Sequence, residues 1–137
     1  MDLVAYVSFQ IIGAIFGCLA ANIIFGLPVI TISTHVRHDL SQFLSEILAT
    51  FGLVLVIFLA REVARQNIPI LIGSYIASAY WFSSSTSFAN PAVTIARQFS
   101  DTFTGISPSG IPSFVLAQIF GAILGYIVVQ WLSLIHI

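Results

Sequence analysis

Lysine is absent from this sequence and charge of either sign is scarce. Its 137 residues hold four Arg and five Asp or Glu, so charged residues make up 7% and hydrophobic residues 58%. A soluble domain carries roughly 25% charged residues. Nine charged side chains cannot cover the surface of a soluble fold of this length, and a mean hydropathy of +1.06 points the same way. The solvent for most of the chain is therefore lipid. Without a basic patch to neutralise phosphates, nucleic acid is excluded as a partner. Without a cationic face, a peripheral amphipathic helix is excluded too. Cys18 is the only cysteine, so no intrachain disulfide is possible; it lies in an apolar run and reads as a small packing residue. No basic segment precedes the first apolar run, which follows Met1-Asp2 directly, so no cleavable signal peptide is expected.

Catalytic groupings are also missing. No Ser/His/Asp or Cys/His arrangement has a scaffold that would position it, so the sequence does not read as an enzyme and implies no cofactor. His35 and His38 stand three apart with only Asp39 beside them, too few ligands for a metal, and read as part of a solvated loop.

What the sequence has is long apolar runs. A bilayer core needs about 20 apolar helical residues. Four runs qualify as expected spans, at about 3–26, 42–60, 68–82 and 112–132, the third short unless its ends are drawn into the protein. Pro112 suits a first helical turn, where its missing N–H costs nothing. Most charges fall between the runs, with Arg37 and Asp39 in 27–41 and Arg61 and Arg65 in 61–66. The excess of Arg predicts that 61–66 and both termini are cytoplasmic and 27–41 external.

The stretch at about 83–100 differs from the rest. It starts Ser83-Ser84-Ser85-Thr86-Ser87, polar but uncharged, and continues through Phe88-Ala89-Asn90-Pro91-Ala92 into a short apolar segment ending near Arg97. That segment is too short to span. It predicts a half-helix that enters the membrane and stops. Irregular backbone at that depth survives only where it is buried in protein or lines a wet cavity, so the loop points to a pore or binding site. Glu46 is the only ionisable group well inside the second run, and an intramembrane acid is a functional candidate by default. Thr50 follows one turn later on the same face.

The first and fourth runs share a string. Gln10-Ile11-Ile12-Gly13-Ala14-Ile15-Phe16-Gly17 and Gln118-Ile119-Phe120-Gly121-Ala122-Ile123-Leu124-Gly125 agree at six of eight positions. Each carries Gly-x-x-x-Gly, which flattens one helix face for close packing, so Gly13, Gly17, Gly121 and Gly125 are expected packing positions. The string implies a duplicated architecture. One repeat is then complete as span, span, half-helix, span, and the other is represented by its last helix.

Asn90-Pro91-Ala92, opening a half-helix after a polar loop, resembles the second signature of the aquaporin or major intrinsic protein family. Glu46-Ile47-Leu48-Ala49-Thr50-Phe51 resembles its fourth span, Ala5 through Gly17 its third, and Phe114 through Gly125 its sixth. The resemblance covers nearly all of 4–132 and is to the C-terminal part of a bacterial-type member, third span through sixth. It implies an all-α membrane protein, a partial aquaporin-like bundle of four transmembrane helices and one re-entrant half-helix. The first two spans and first Asn-Pro-Ala loop of the family have no counterpart. The ending Ser133-Leu134-Ile135-His136-Ile137 does not resemble the family and reads as run-on sequence.

The resemblance also implies roles. Asn90 at the N-cap would donate from its amide to a passing solute, beside the positive end of the half-helix, with Pro91 at the first helical position and Ala92 completing the motif. Glu46 would accept hydrogen bonds from loop N–H groups, with Thr50 beside it. Of the family's four filter positions, three map to Ser78, Ser87 and Val93; the family usually has Arg where Val93 stands. Arg97 lies one turn on. It either turns toward the pore mouth or pairs with Asp101. A constriction of two Ser and a Val is wider and less charged, which favours passive passage of small neutral solutes such as glycerol, urea or metalloid acids alongside water. The alternative is a non-conducting fragment of such a channel. The remaining implications are a multi-pass protein of the bacterial inner membrane, in contact with lipid, and a homotetramer when complete.

Overall fold

The computed structural model describes residues 2–135, and their regular structure is all helical. The five α-helices are α1 (Leu3–Ile24), α2 (Leu40–Val63), α3 (Ile68–Phe82), α4 (Pro91–Ala96) and α5 (Ile111–Ile135). Single tight turns at Arg65–Asn67, Arg97–Phe99 and Pro108–Gly110 join them. The expected runs thus become helices whose ends differ by up to three residues. The half-helix of the 83–100 stretch is confined to six residues, because extended and left-handed backbone occupies its first half. Of the terminal five residues, Ser133–Ile135 continue α5, while His136 and Ile137 lie outside the described residues.

Among the described residues, three helical stretches are long and apolar enough to cross a membrane: Leu3–Ile24, Leu40–Val63 and Pro108–Ser133. The 15-residue α3, about 22 Å at 1.5 Å per residue, is shorter than these three. The burial pattern inverts that of a soluble protein. Phe16, Ile24 and Trp81 are exposed, whereas Glu46, Ser85, Thr94 and Gln118 are among the most buried side chains. Helices that are apolar on their outer faces and bury polar groups inside are what a lipid solvent selects.

The chain forms two compact units. The first takes residues up to 38 and 90–115, and α1 packs against α4 within it. α1 ends where it does because Gly26 adopts φ +68, a conformation that costs a residue without Cβ nothing. The Gly26 N–H then reaches the Ile23 carbonyl at 3.0 Å and the Leu27 N–H reaches Asn22 at 2.8 Å, closing the helix. The connection that follows is pinned along the 97–107 segment: Thr31 N–H donates to Phe99 (3.2 Å), Ser33 N–H to Gln98 (2.8 Å), and Ser107 N–H to His35 (2.7 Å).

The second unit takes 39–89 and 116 onward. α3 packs on α2 by setting the Tyr75 ring into the space that Gly52 leaves, and the Tyr75 hydroxyl donates to the Ala49 carbonyl at 2.8 Å. α5 approaches α2 through its glycines. A Cβ on Gly121 would meet the Ile47 carbonyl and the Thr50 Cβ, and one on Gly125 would meet Val54 at 2.9 Å and the Phe51 carbonyl at 3.0 Å. Gly13 and Gly17 behave differently: nothing lies within 4 Å of a Cβ at either. The packing expected of them is therefore not made, because no described element passes over that face of α1.

The contrast predicts unequal responses to one added methyl. Gly121→Ala forces backbone apart and is expected to destabilise by about 1–3 kcal/mol, the overpacking range. Gly13→Ala should leave the midpoint of thermal unfolding in detergent unchanged or raised. Equal shifts for the two variants would contradict the packing described.

Candidate functional site

Glu46, in the second turn of α2, is fully buried, and both its oxygens are saturated. Oε1 accepts from the Ser85 hydroxyl at 2.6 Å and the Phe88 N–H at 2.8 Å. Oε2 accepts from the Ala89 N–H at 2.9 Å and the Gln118 amide at 2.7 Å. A carboxylate is an acceptor at both oxygens, so four donors suit it and would not suit a neutral acid with its own O–H. Hydrogen bonds to an ionised acceptor are roughly twice as strong as neutral ones.

The loop needs this anchor. Thr86, Ser87 and Ala89 adopt φ of +63, +46 and +47, left-handed values that cost of order 1–3 kcal/mol each for residues with a Cβ. Backbone so folded cannot bond to itself as a helix does. The Ser85 hydroxyl takes the Ser87 N–H at 3.2 Å, and Glu46 takes the next two N–H groups. Thr50 does not join this support, correcting the expectation. Its buried hydroxyl has no hydrogen-bond partner among the described residues, and its Cβ lies where α5 passes at Gly121. Gln118 takes the role instead. The sequence marked Gln118 only as the first residue of the repeated string. Its counterpart Gln10 is exposed and donates to the Tyr6 hydroxyl at 3.1 Å, so a shared residue type does not mean a shared role.

Asn90, the next residue after Ala89, caps α4. Its backbone is extended (φ −157, ψ 119), its Oδ1 accepts the Ala92 N–H at 2.8 Å, and its carbonyl accepts the Thr94 N–H and hydroxyl at 3.0 and 2.9 Å. With Pro91 at the first helical position, one of the helix-end donors is absent by construction. The cap uses the amide oxygen, which leaves the Nδ2–H₂ group as the donor of this side chain. Ala92 is buried behind it.

Val93 and Arg97, one turn apart, both line a cavity of about 620 Å³ within the first unit, together with Cys18 and Asn22 of α1. Ser78 is exposed on α3 and donates to the Ser74 carbonyl at 2.8 Å. Ser87 is buried in the loop, its hydroxyl without a partner among the described residues. So the structure brings two of the four filter candidates onto one wall.

Arg37, expected in an external loop, is buried. Its Nε donates to the Gly105 carbonyl at 2.7 Å and its Nη2 to Phe103 at 2.5 Å. Asp101 accepts the Thr34 N–H at 2.8 Å and the Thr34 hydroxyl at 3.1 Å. The Thr34 backbone donor holds the Asp101 carboxyl below the usual range for an aspartate, helped by the Thr34 hydroxyl and His35 and opposed by some loss of hydration. His35 and His38 are exposed, and among the described residues no three His, Cys, Asp or Glu side chains group as a metal site would require.

Comparison with known proteins gives one informative match. The chain is 47% identical over 131 residues to aquaglyceroporin AqpS of Rhizobium meliloti (strain 1021), covering 96% of this chain and 56% of that protein. The chain thus spans little more than half the length of the curated relative it matches. No protein-family model matches it. No solved structure matches it.

The two carboxylates give separate tests. Glu46→Gln turns an amide NH₂ toward N–H donors and should lower stability by about 2–4 kcal/mol, read by thermal unfolding, whereas Thr50→Val should change it by less than about 0.5 kcal/mol. For Asp101 the folded value is depressed, so its contribution is present above the unfolded carboxylate value of about 3.9 and is lost as pH falls through the lower folded value. Hydrogen exchange at the Thr34 amide should accelerate in that acid window beyond its intrinsic pH dependence, and Asp101→Asn should remove the effect.

Proposed function

We propose that this chain, which belongs to the aquaporin or major intrinsic protein family across its 131 matched residues, supplies part of a passive channel for water and small neutral solutes. The observation that carries this reading is the loop at 83–89. A strained, polar, uncharged backbone is held by a saturated intramembrane carboxylate and delivers Asn90 to the N-cap of a half-helix. A fold that needed only a buried helix start would have no use for left-handed Thr86, Ser87 and Ala89. Carbonyls and an amide donor that are not consumed by secondary structure can replace water around a neutral solute and then release it.

Glu46 acts in this reading as a structural anchor. Both oxygens are taken by four donors from the loop and α5, and Glu46 is the only acid well inside its span, which argues against a proton-coupled transporter. Asn90 orients the solute through Nδ2, next to the positive end of α4, and so disfavours cations. Pro91 and Ala92 fix that cap. Ser78, Ser87 and Val93 are the filter positions of this reading, with Arg97 one turn beyond Val93. Val93 in place of a charged residue supports solutes larger than water, such as glycerol, urea and undissociated metalloid acids. The name of the matched relative as an aquaglyceroporin agrees with that class. The protein is then a multi-pass component of a bacterial inner membrane, in contact with lipid and tetrameric when complete.

A second reading is favoured by one observation: the match covers only 56% of the relative. On that reading these residues are a helical portion of a channel that does not conduct by itself. Proteoliposomes carrying the chain separate the two. Swelling in glycerol above that of empty vesicles supports conduction by the chain, and swelling no faster than empty vesicles leaves the partial-channel reading. In whichever form conducts, Val93→Arg should reduce glycerol flux by about tenfold, about 1.4 kcal/mol of barrier, and water flux less. Equal losses for both solutes would count against the filter assignment.

A further inference from the structure

Ser100, Thr102 and Thr104, at alternate positions along the chain, line the cavity that Val93 and Arg97 also line. Their hydroxyls form a ladder: Ser100 and Thr102 hydrogen-bond at 3.2 Å, and Thr102 and Thr104 at 3.3 Å. Two of the three rungs belong to a tight turn, in which the Gly105 N–H donates to the Thr102 carbonyl at 2.8 Å. Little within this turn fixes its place. Gly105 has no side chain, and Phe103 is 68% exposed, so burial of its ring contributes little. The rungs bond to one another, which sets their spacing and leaves the position of the turn open. The grip comes from the connection between α1 and α2. Arg37, buried, donates from Nε to the Gly105 carbonyl at 2.7 Å and from Nη2 to the Phe103 carbonyl at 2.5 Å. These two carbonyls flank Thr104, so one planar fork clamps the backbone on both sides of a cavity-lining rung. Backbone bonds at Thr31, Ser33 and His35 run the connection along the same segment. Gly105 permits the approach, since a Cβ there would meet the Ser100 carbonyl and the Ser33 hydroxyl.

We propose that Arg37 is a positioning residue for solute passage. By clamping the turn at 102–105 it fixes the width of the cavity beside Val93 and Arg97, and so the largest molecule that the cavity admits. Arg37 acts through the Phe103 and Gly105 carbonyls and not by lining the cavity. The residue type is part of the device. Arg presents its donors in a rigid planar fork, whereas Lys carries a point charge on a flexible stem. Lysine at this position keeps the charge and loses the simultaneous hold on two carbonyls. A turn held at one carbonyl can swing about that point, and the rungs it carries move with it. A second contact on the same segment is weaker: Asp101 accepts from the Thr34 N–H and hydroxyl in an exposed setting. The proposal rests on the channel reading for its purpose, since a fixed width matters where a solute passes. The clamp itself does not depend on conduction.

Cys18 reports on the width directly, because it is the only cysteine of the chain and lies in the cavity wall. The experiment compares its modification by methyl methanethiosulfonate and by the bulkier benzyl methanethiosulfonate in the detergent-solubilised chain, followed by mass spectrometry. Both reagents are neutral, so the charge of Arg97 does not select between them. Arg37→Lys should raise the ratio of benzyl to methyl rates by about tenfold, the equilibrium worth of one hydrogen bond from a charged donor. The methyl rate itself should change little. General loosening would raise both rates together, and Gly121→Ala, which strains packing in the other unit, controls for it and should leave the ratio where it is. Should Arg37→Lys fail to fold, Asp101→Ala loosens the same segment at its exposed contact, and a rise of about threefold is expected. An unchanged ratio in folded Arg37→Lys or, failing that variant, in Asp101→Ala overturns the assignment. An equal rise with Gly121→Ala overturns it as well. A raised ratio in a chain that produces no vesicle swelling supports the clamp while counting against conduction. Swelling with an unchanged ratio has the opposite meaning.

Discussion

A carboxylate placed inside an apolar helix is a large liability unless every lone pair finds a donor. Glu46 meets that condition with four: two backbone N–H groups, a serine hydroxyl and a glutamine amide. The interaction works in both directions. The donors make the buried charge tolerable, and the charge makes the donors' conformation tolerable. Phe88 and Ala89 could not direct consecutive N–H groups to one point from helical backbone, and the left-handed residues around them have no intrinsic reason to adopt their angles. Remove the acceptor and the strain is uncompensated. Because Asn90 follows Ala89 directly, the peptide that enters the α4 cap leaves from this anchor.

Lipid as solvent explains the inversion of the rest. Lipid tails give apolar side chains no reason to leave the helix exterior, so Phe16 and Trp81 stay outside while Gln118 and Thr94 go in. Helix association then relies on close backbone approach and on polar contacts. α5 uses both against α2, through Gly121 and Gly125 on one hand and Gln118 on the other. α1 carries the same string but presents its glycines to open space and its Gln10 to an exposed tyrosine.

In the other unit the organising contacts are made to backbone carbonyls. Asn22, Arg37 and the paired segments around Thr31 and Ser33 satisfy groups that lie outside helices, where a buried carbonyl without a donor is costly. Arg37 is the instructive case. In sequence it sits among His35, His38 and Asp39 and looks like one more solvated charge, yet it is buried and donates to two backbone carbonyls. The segment it holds contributes the hydroxyls that line the cavity.

Composition alone determined that the chain is helical and bathed in lipid, because nine charges cannot hydrate 137 residues and helices satisfy their own backbone. Local chemistry determined the cap at Asn90 and the break before it, since Asn-Pro is a helix start wherever it falls. The single intramembrane acid and the Glu-to-loop relation were legible through Glu46. Four things were not. The sequence could not say that Gln118 rather than Thr50 completes the carboxylate, that only one of two identical glycine pairs is packed, that Arg37 is buried, or that Val93 and Arg97 share a wall with a hydroxyl ladder. Each depends on which distant segment arrives opposite a given side chain. That is a property of the tertiary arrangement, and periodicity and residue type carry no record of it.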